Sequence, residues 1–354
     1  MKVLKFGGSS VANSENIKKV LAIVEKASQE SKIAVVVSDF GETTHHLLTG
    51  ATTALKDISL VKQQLESIKE LHLQTINELI QNDLEIVLEK ANSLFYELLS
   101  IYEGIYLLQE LSDKTLAKVS SFGKKLSSFI IANAAKEFFD ATHFESDQLI
   151  ITDNNYLNGQ VDFAKTKTNI TNFFNQNNHQ VTLLGGGVAS NSVGEITTLG
   201  RGGSDYSAAI FAAALDAEEL QIWTNVSCMF TANPKIVKQA FPIREISYEE
   251  AMELSGFGAK VLYPQTIEPV LRKEIPIRIK NTFEPEHFGT LISNNPKKNG
   301  AIKGISHIEN ISLITLEGGG MVGIPGFSKR LFETLSKQKI NVIFITQASS
   351  EYSI

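Results

Sequence analysis

The first forty residues show the hydrophobic pattern of a βαβ unit. Apolar residues 2–6 are followed by glycines and serines, then by apolar positions at helical spacing, and then by a β-branched run at 33–37. A continuous apolar strand after a crossover helix is typical of a buried parallel strand. The pattern therefore predicts an α/β fold with a mainly parallel sheet.

Residues 50–118 have a different pattern. They contain no proline and only two glycines, Gly50 and Gly104, and apolar residues recur at steps of three and four. This spacing predicts a helical segment of two or more helices that pack on each other or on a sheet face.

The α/β pattern returns after residue 119. Apolar runs predict strands near 149–151, 181–184, 220–223 and 276–280, and amphipathic stretches predict helices near 125–138, 205–216 and 247–256. Residues 294–300 are polar and contain proline and glycine, which is typical of a linker. We therefore place the first domain at residues 1–295.

The tail, residues 303–354, is predicted to be a smaller second domain. Its pattern is a strand at 311–316, a helix at 327–338 and a strand at 342–346, which make one further βαβ unit. A tail of about 55 residues is shorter than most domains. We expect that the chain was truncated or that a partner supplies the rest.

Composition and charge exclude several classes of protein. The chain has 33 Lys and Arg against 39 Asp and Glu, a net charge of −6 without a dense basic run, so nucleic-acid binding is not expected. The single cysteine, Cys228, excludes an intrachain disulfide and a cysteine-based zinc cluster. No apolar run reaches the ~18 residues of a membrane helix, and the N-terminus lacks the order of a signal peptide. We expect a cytoplasmic protein with no membrane contact and no metal held by protein ligands.

The glycine turn after the first strand is suited to anions. Gly7 and Gly8 allow backbone N–H groups to point at an anion near the next helix, and Lys5 adds a positive charge. An ordinary tight turn explains the same residues equally well.

A second turn carries the strongest local signal. Three glycines surround Arg201, whose planar guanidinium suits a carboxylate or a phosphate, and Ser204 and Asp205 are expected to cap the following helix. So many glycines cost backbone entropy without a return in packing, which favours a functional loop over a merely flexible one.

Two further glycine motifs differ in how strongly they indicate a binding site. Lys260 follows a Gly-x-Gly turn and is either a second phosphate contact or a surface lysine after a helix end. Residues 318–323 match G-x-G-x-x-G, but no acidic residue closes the second strand, so a dinucleotide site is not expected. Anion-suited turns with cations on a parallel sheet indicate phosphoryl transfer, without the motif of a Walker-type ATPase.

Four motifs resemble those of aspartate kinases, in the same order along the chain. They are K-F-G-G-S-S at 5–10, T-T-L-G-R-G-G-S-D-Y-S-A at 197–208, I-W-T at 222–224 and F-G-A-K-V-L at 257–262. The tail from 318 to 353 is similar to the ACT regulatory domain of bifunctional aspartate kinase–homoserine dehydrogenases. The resemblance spans essentially the whole chain and implies the amino-acid kinase fold, a three-layer α/β/α sandwich, followed by an incomplete ACT unit.

The resemblance also implies an activity and a set of site residues. The activity is transfer of the ATP γ-phosphate to the β-carboxylate of L-aspartate with Mg²⁺. Lys5 and Lys260 would neutralise phosphate charge, and Asp205 would orient the lysine. The implied substrate-binding residues are Ser38, Asp39, Thr44, Lys124 and Arg201. The implied nucleotide-binding residues are Gly7, Gly8, Ser9, Thr224, Asn225, Phe230, Lys235 and Lys260.

The sequence departs from the family pattern at several of these positions. Lys124 stands where the family has a glutamate that binds the substrate's amino group, and Asp39 stands where alanine is usual. Asn225 and Asn233 replace aspartates of two nucleotide-loop motifs. One interpretation is a compensating swap, in which Lys124 and Asp39 form an ion pair and Asp39 binds the amino group. The other is drift in an inactive protein.

Two alternative functions follow. The changes at Lys124, Asn225 and Asn233 favour a catalytically degenerate subunit that binds nucleotide or amino acid and regulates a partner. The pattern at 318–323 alone supports a nucleotide-linked oxidoreductase. For the aspartate kinase, we expect L-aspartate and ATP as substrates and threonine or lysine as a feedback effector at the ACT unit. Because the tail leaves a sheet edge unpaired, we also expect a homodimer or higher homo-oligomer.

Overall fold

The computed structural model describes residues 1–256, 262–297, 302–316, 326–338 and 340–346. The chain divides into two compact units, Met1–His307 and Ile308–Ile354. Each unit is described by itself.

The first unit is organised by an eight-stranded sheet with the order β11-β13-β12-β8-β1-β2-β5-β3. Neighbouring strands of this sheet are parallel except for β12 and β13. The strands are β1 (Lys2–Phe6), β2 (Ile33–Val37), β3 (Ala141–Phe144), β4 (Ile151–Thr152), β5 (Val181–Gly185), β6 (Val188–Asn191), β7 (Ile196–Thr198), β8 (Glu219–Thr224), β9 (Met229–Phe230), β10 (Pro242–Ile243), β11 (Glu245–Ile246), β12 (Ile277–Asn281) and β13 (Thr290–Ile292). Strands β4, β6 and β7 form a small separate sheet, and β9 pairs with β10.

The helices of the first unit are α1 (Ser14–Ser28), α2 (Thr43–Ala54), α3 (Ile58–Leu79), α4 (Leu84–Leu108), α5 (Asp113–Ala135), α6 (Phe163–Gln176), α7 (Gly203–Ala214), α8 (Tyr248–Gly256) and α9 (Pro264–Leu271). Two short 3₁₀ turns occupy Gly8–Val11 and Ser146–Gln148.

Successive residues of the central strands face opposite sides of the sheet, and each side has its own core. Leu4 and Phe6 of β1 pack with α1 to α5, whereas Val3 packs with α6 to α9. In β2, Val35 packs with α1 to α5, and Val36 packs with α6 to α9. Both faces of the parallel sheet are therefore covered by helices, which confirms the predicted three-layer α/β/α sandwich.

The helical stretch extends beyond the expected residues 50–118, because α5 is one continuous helix that begins at Asp113. The side chain of Ser112 caps it by accepting a hydrogen bond from the N–H of Thr115 at 3.2 Å. Gly123 lies inside this helix, where an added Cβ would meet Thr44 Oγ1 at 3.0 Å and Asp39 Cβ at 3.1 Å. The glycine therefore serves a close approach between α5 and the loop after β2, and it does not end the helix.

One strand was misplaced by the sequence pattern. The apolar run at 149–151 mostly follows a 3₁₀ turn, and only Ile151 belongs to a strand, in the small sheet. The sheet edge is instead β3, whose residues after Ala141 are only partly buried. An edge strand pairs on one side only and is less completely buried, so it lacks the continuous apolar run of a central strand.

Parallel strands bring their carboxyl ends to one edge of the sheet. Phe6 lies beside Val37 and Trp223, and Val37 lies beside Gly185. The loops after β1, β2, β5 and β8 therefore start side by side. In the sheet, β2 lies on one side of β1 and β8 lies on the other, so the strand order reverses direction at β1. Open α/β sheets bind ligands at such a switch point.

The second unit contains the helix α10 (Phe327–Lys337), as predicted. No strand is assigned to 311–316 or 342–346 in the described part of this unit, so the two flanking strands remain a prediction. Across the described ranges of both units, every helix is too short or too polar to span a bilayer.

Candidate active site

A cavity of about 410 Å³ opens at the carboxyl edge of the sheet. Its lining residues come from β1, β7, α2, α5, the start of α7 and the loops around them. They are Lys5, Ser38, Asp39, Thr44, Leu48, Ser120, Lys124, Leu157, Gly187, Thr198, Gly200, Gly202, Gly203, Ser204, Asp205 and Tyr263. Two larger clefts, of about 720 and 640 Å³, contain none of the residues that the sequence analysis selected. The chemistry of the lining, not its volume, therefore identifies the site.

The phosphate end of the cavity, as we call the part around Lys5 and Asp205, holds a buried ion pair. Lys5 Nζ lies 2.5 Å from Asp205 Oδ1, and each side chain is about 10% exposed. Lys5 is the fourth residue of β1, and Asp205 lies in the first turn of α7. The sheet and the helix thus position one charge each.

Asp205 does not cap α7, contrary to the expectation from sequence. The N-cap is Gly202, in the left-handed region at φ +74°, and no side chain accepts a hydrogen bond there. The first residues of this helix lie against the cavity, because Gly202, Gly203 and Ser204 all line it, although the N–H of Gly203 donates to the carbonyl of Gly200 at 3.1 Å. A helix N-terminus with a nearby lysine is suited to an anion.

Close backbone packing joins the loops of this end. A Cβ on Gly186 would lie 2.7 Å from Ser204 Cβ, so the loop after β5 fits against α7 only as glycine. A Cβ on Gly8 would lie 2.6 Å from the carbonyl oxygen of Gly41, in the loop after β2. The glycines after β1 and β5 therefore allow three loops to meet.

The acceptor end of the cavity, defined by Ser38, Asp39, Thr44 and Lys124, is held by hydrogen bonds. The N–H of Thr44 donates to Asp39 Oδ2 at 2.6 Å, and Lys124 Nζ donates to Thr44 Oγ1 at 2.9 Å. Ser38 Oγ donates to Ser204 Oγ at 3.0 Å and so links this end to α7. The structure brings together all four of these predicted substrate-binding residues.

The ion pair between Lys124 and Asp39, which one of the two interpretations of the sequence proposed, is absent among the described residues. Among the described residues, no carboxylate lies within 4 Å of Lys124 Nζ, and the two side chains instead share Thr44 as a partner. Burial lowers the pKa of the Lys124 ammonium, and the negative charge of Asp39 opposes that shift. Asp39 therefore acts on Lys124 at a distance and not by contact.

Arg201 is exposed and does not line the cavity. Its Nε donates to the hydroxyl of Tyr263 at 3.1 Å, and its guanidinium lies 5.9 Å from the centre of that ring. Tyr263 itself lines the cavity. The sequence analysis missed this tyrosine, because an isolated aromatic residue carries no motif.

Three of the predicted nucleotide-binding residues, Gly7, Thr224 and Asn225, follow neighbouring strands at the same sheet edge and do not line the cavity. The N–H of Gly7 donates to the carbonyl of Trp223 at 3.1 Å, which places the first glycine turn beside Thr224. Thr224 Oγ1 donates to Asn225 Oδ1 at 3.3 Å.

The other members of this set are more dispersed. Ser9 is exposed in the 3₁₀ turn, Phe230 pairs with Pro242 between β9 and β10, and Lys235 is exposed in the connecting loop. Lys260 lies outside the described residues.

Several lining residues were missed by sequence reasoning. Ser204 lies within a selected motif but was given only a capping role, and the glycines at 185–187 were noted without a function. Three glycines directly after a buried strand are a signal for close packing, and they mark this approach to α7. Leu157 carries no such signal. It reaches the cavity because Thr198 Oγ1 donates to its carbonyl at 2.9 Å.

Comparisons with known proteins fit this geometry. Residues 1–281 match the Amino acid kinase family, and residues 314–354 match an ACT domain. The chain belongs to the amino acid kinase family. The ACT match includes residues 318–323, so it opposes the dinucleotide interpretation of those glycines.

The curated relatives and solved structures confirm the resemblance to aspartokinases. The chain is 36% identical to a bifunctional aspartokinase/homoserine dehydrogenase of Buchnera aphidicola and 35% identical to that of Haemophilus influenzae, with all of this chain and 44% of each relative covered. It therefore spans less than half the length of these relatives. The structure of Escherichia coli aspartokinase III with aspartate and ADP matches with a TM-score of 0.83 and 27% identity, covering 100% of this chain and 77% of that one.

Proposed function

We propose that this chain is an aspartate kinase that transfers the γ-phosphate of ATP to the β-carboxylate of L-aspartate. The observation that carries the proposal is the cavity itself, where the Lys5–Asp205 pair and the N-terminus of α7 adjoin Ser38, Thr44 and Lys124. The solved relative from Escherichia coli, which binds aspartate and ADP, supports the same pair of ligands.

The transfer needs positioning and charge neutralisation more than acid–base chemistry. A β-carboxylate oxygen attacks the γ-phosphorus, and the bond from that phosphorus to the β,γ-bridging oxygen breaks to release ADP. No proton is exchanged, because the carboxylate is already ionised at neutral pH. Lys5 neutralises charge on the transferring group, Asp205 holds the lysine in place, and the N–H groups of α7 contribute further positive potential.

The nucleotide extends from this end toward the loops after β8 and β9. Thr224, Asn225, Phe230 and Lys235 are proposed to border it, and Lys260 is proposed as a second cation for the phosphates. Among the described residues, no group of three His, Cys, Asp or Glu side chains is placed to hold a metal. We propose that Mg²⁺ enters as the MgATP complex, since Mg²⁺ is commonly held by substrate phosphates and few carboxylates.

The second unit is proposed to be regulatory. Its ACT match and the lysine complex of the aspartokinase III structure support an amino-acid effector, for which threonine and lysine are the candidates. A homo-oligomer is proposed from the unpaired sheet edge that the sequence predicts for this tail.

The function is tested by coupled ADP release with L-aspartate, L-glutamate and D-aspartate. Because the product is an acyl phosphate, hydroxylamine is expected to trap it as a hydroxamate, formed only with MgATP and the correct acceptor. L-Aspartate is expected to give the highest kcat/KM. MgATP binding by calorimetry without hydroxamate from any acceptor would overturn the kinase proposal in favour of a degenerate binding subunit.

A further inference from the structure

We infer that Lys124 binds a carboxylate of the acceptor, so that the pocket selects a dicarboxylate by its second carboxylate and not by its amino group. The inference rests on the proposed function for the transfer step only. The binding preference follows from the cavity.

Lys124 lines the cavity and lacks a counterion among the described residues. An ammonium group has three N–H donors, and among the described residues only Thr44 Oγ1, at 2.9 Å, accepts a hydrogen bond from Lys124. The hydroxyl is neutral and leaves both the charge and the remaining donors uncompensated.

The neighbouring lysines show how this chain treats a buried cation elsewhere. Lys5, in the same cavity, lies 2.5 Å from a carboxylate of Asp205. Lys125, next to Lys124 on α5, lies 2.8 Å from Asp147 Oδ2. Burying a charge is costly unless it is paired. Lys5 and Lys124 both line the cavity, and of these three lysines Lys124 alone lacks a carboxylate among the described residues.

The two carboxylates of the cavity differ in how far they are engaged. Asp205 is paired with Lys5, and Asp39 accepts a hydrogen bond from the N–H of Thr44. A ligand ammonium would share Asp39 with the N–H of Thr44 and would approach Lys124 as a like charge. A ligand carboxylate would meet a cation with free donors. The pocket is thus better matched to a second carboxylate than to an amino group.

The experiment compares three acceptors that differ by one group each. L-Aspartate carries both groups, succinate lacks the amino group, and β-alanine keeps an amino group and one carboxylate. KM values come from ADP release, and affinities come from calorimetry with a non-hydrolysable ATP analogue present. For the parent chain, we expect succinate within about threefold of L-aspartate and β-alanine weaker by about 10- to 100-fold, the range for a charge-assisted hydrogen bond.

Two variants localise the effect. Lys124→Gln is expected to weaken L-aspartate and succinate by a similar 10- to 100-fold and to leave β-alanine and MgATP nearly unchanged. Lys125→Gln is the matched control, because Lys125 pairs with Asp147 and does not line the cavity. It should leave all three acceptors unchanged.

Two results would each overturn the inference. The first is that Lys124→Gln binds L-aspartate and succinate as tightly as the parent chain does. The second is that succinate fails to bind although L-aspartate binds. If Lys124→Gln does not fold, the acceptor series with the parent chain still decides. If no acceptor releases ADP but succinate binds through Lys124, the inference stands and the kinase proposal fails. If L-aspartate reacts equally well in both variants, the kinase stands and the inference fails.

Discussion

Each end of the cavity carries a lysine, but among the described residues only Lys5 has a carboxylate beside it. At the phosphate end, Lys5 is paired with Asp205 at 2.5 Å. At the acceptor end, Lys124 has a hydroxyl partner at 2.9 Å. A paired charge is already stabilised by the fold. An unpaired charge gains most from a bound ligand. Lys5 is therefore suited to positioning, and Lys124 is suited to recognising the ligand.

The two ends also differ in what supports them. Lys5 and Asp205 project from a central strand and a helix, whereas Asp39 belongs to the loop after β2. That loop is backed by Phe40, which stacks on the buried ring of His72 with 4.7 Å between ring centres. The acceptor end therefore depends on packing beneath a loop, and the phosphate end depends on the sheet.

The largest effect is expected from breaking the paired end. Lys5→Met leaves the buried Asp205 carboxylate without its cation, so the free energy of unfolding should fall by about 3–5 kcal/mol. ADP release should fall by about 10²- to 10³-fold, since a preorganised charge is lost from the transition state. Urea unfolding and initial rates measure the two effects.

Two further variants sharpen this test. Lys5→Met with Asp205→Leu should recover much of the stability but none of the activity, because an apolar pair replaces the ion pair. Lys124→Met should cost little stability, because it removes a cation that has no counterion. Equal destabilisation by the methionine variants of both lysines would refute the contrast between the two ends.

The packing beneath the acceptor loop is expected to make stability depend on pH. Burial lowers the pKa of His72 to about 4, against an ordinary value of 6.5. The unfolded chain therefore takes up the proton first, so this stabilisation is complete above pH 6.5 and is lost as pH falls toward 4. The loss amounts to ~3 kcal/mol. Unfolding free energies measured between pH 7 and 4 should show it.

The variant His72→Phe keeps an aromatic ring beside Phe40 and removes the titrating group. It should reduce the acid-side slope of stability against pH, while His46→Gln, at an exposed position of α2, should not. His143 retains its own slope, since burial and nearby lysines lower its pKa to about 4 as well. If the pH dependence of the unfolding free energy is the same in His72→Phe as in the parent chain, then the fold does not favour the neutral form of the His72 imidazole.

The smallest of the three effects concerns the contact between the two ends. A Cβ on Gly8 would lie 2.6 Å from the Gly41 carbonyl and 3.2 Å from that of Asp39, so Gly8→Ala should displace the acceptor loop. A shift of about 1 Å can cost ~10²-fold in rate. Gly104→Ala is the control, because no atom lies within 4 Å of its added Cβ in α4. It should raise stability by about 0.5–1 kcal/mol without a change in rate. Equal rates for both variants would mean that the loops move independently.

Much of the fold was predictable because its signals are local. The β-branched run at 33–37 is β2, and the strands predicted at 181–184 and 220–223 are β5 and β8 within one residue at each end. A central parallel strand is buried on both faces and therefore reads as a continuous apolar run. The edge strand β3 and the full length of α5 were not predicted, because their boundaries depend on what packs against them.

For the site, the sequence was enough to select several of the residues, but only the structure shows which of them contact each other. The glycine turns at strand ends were sufficient to select Lys5 and Asp205, because such turns have local signatures, whereas Ser38 and Thr44 were selected only by the resemblance to aspartate kinases. Which charges pair was decided only by the tertiary structure. Lys124 and Asp39 looked like partners, yet the path of α5 past the loop after β2 places Thr44 between them. The reason is that a salt bridge depends on distances of a few ångströms between elements far apart in sequence, and periodicity carries no information at that scale.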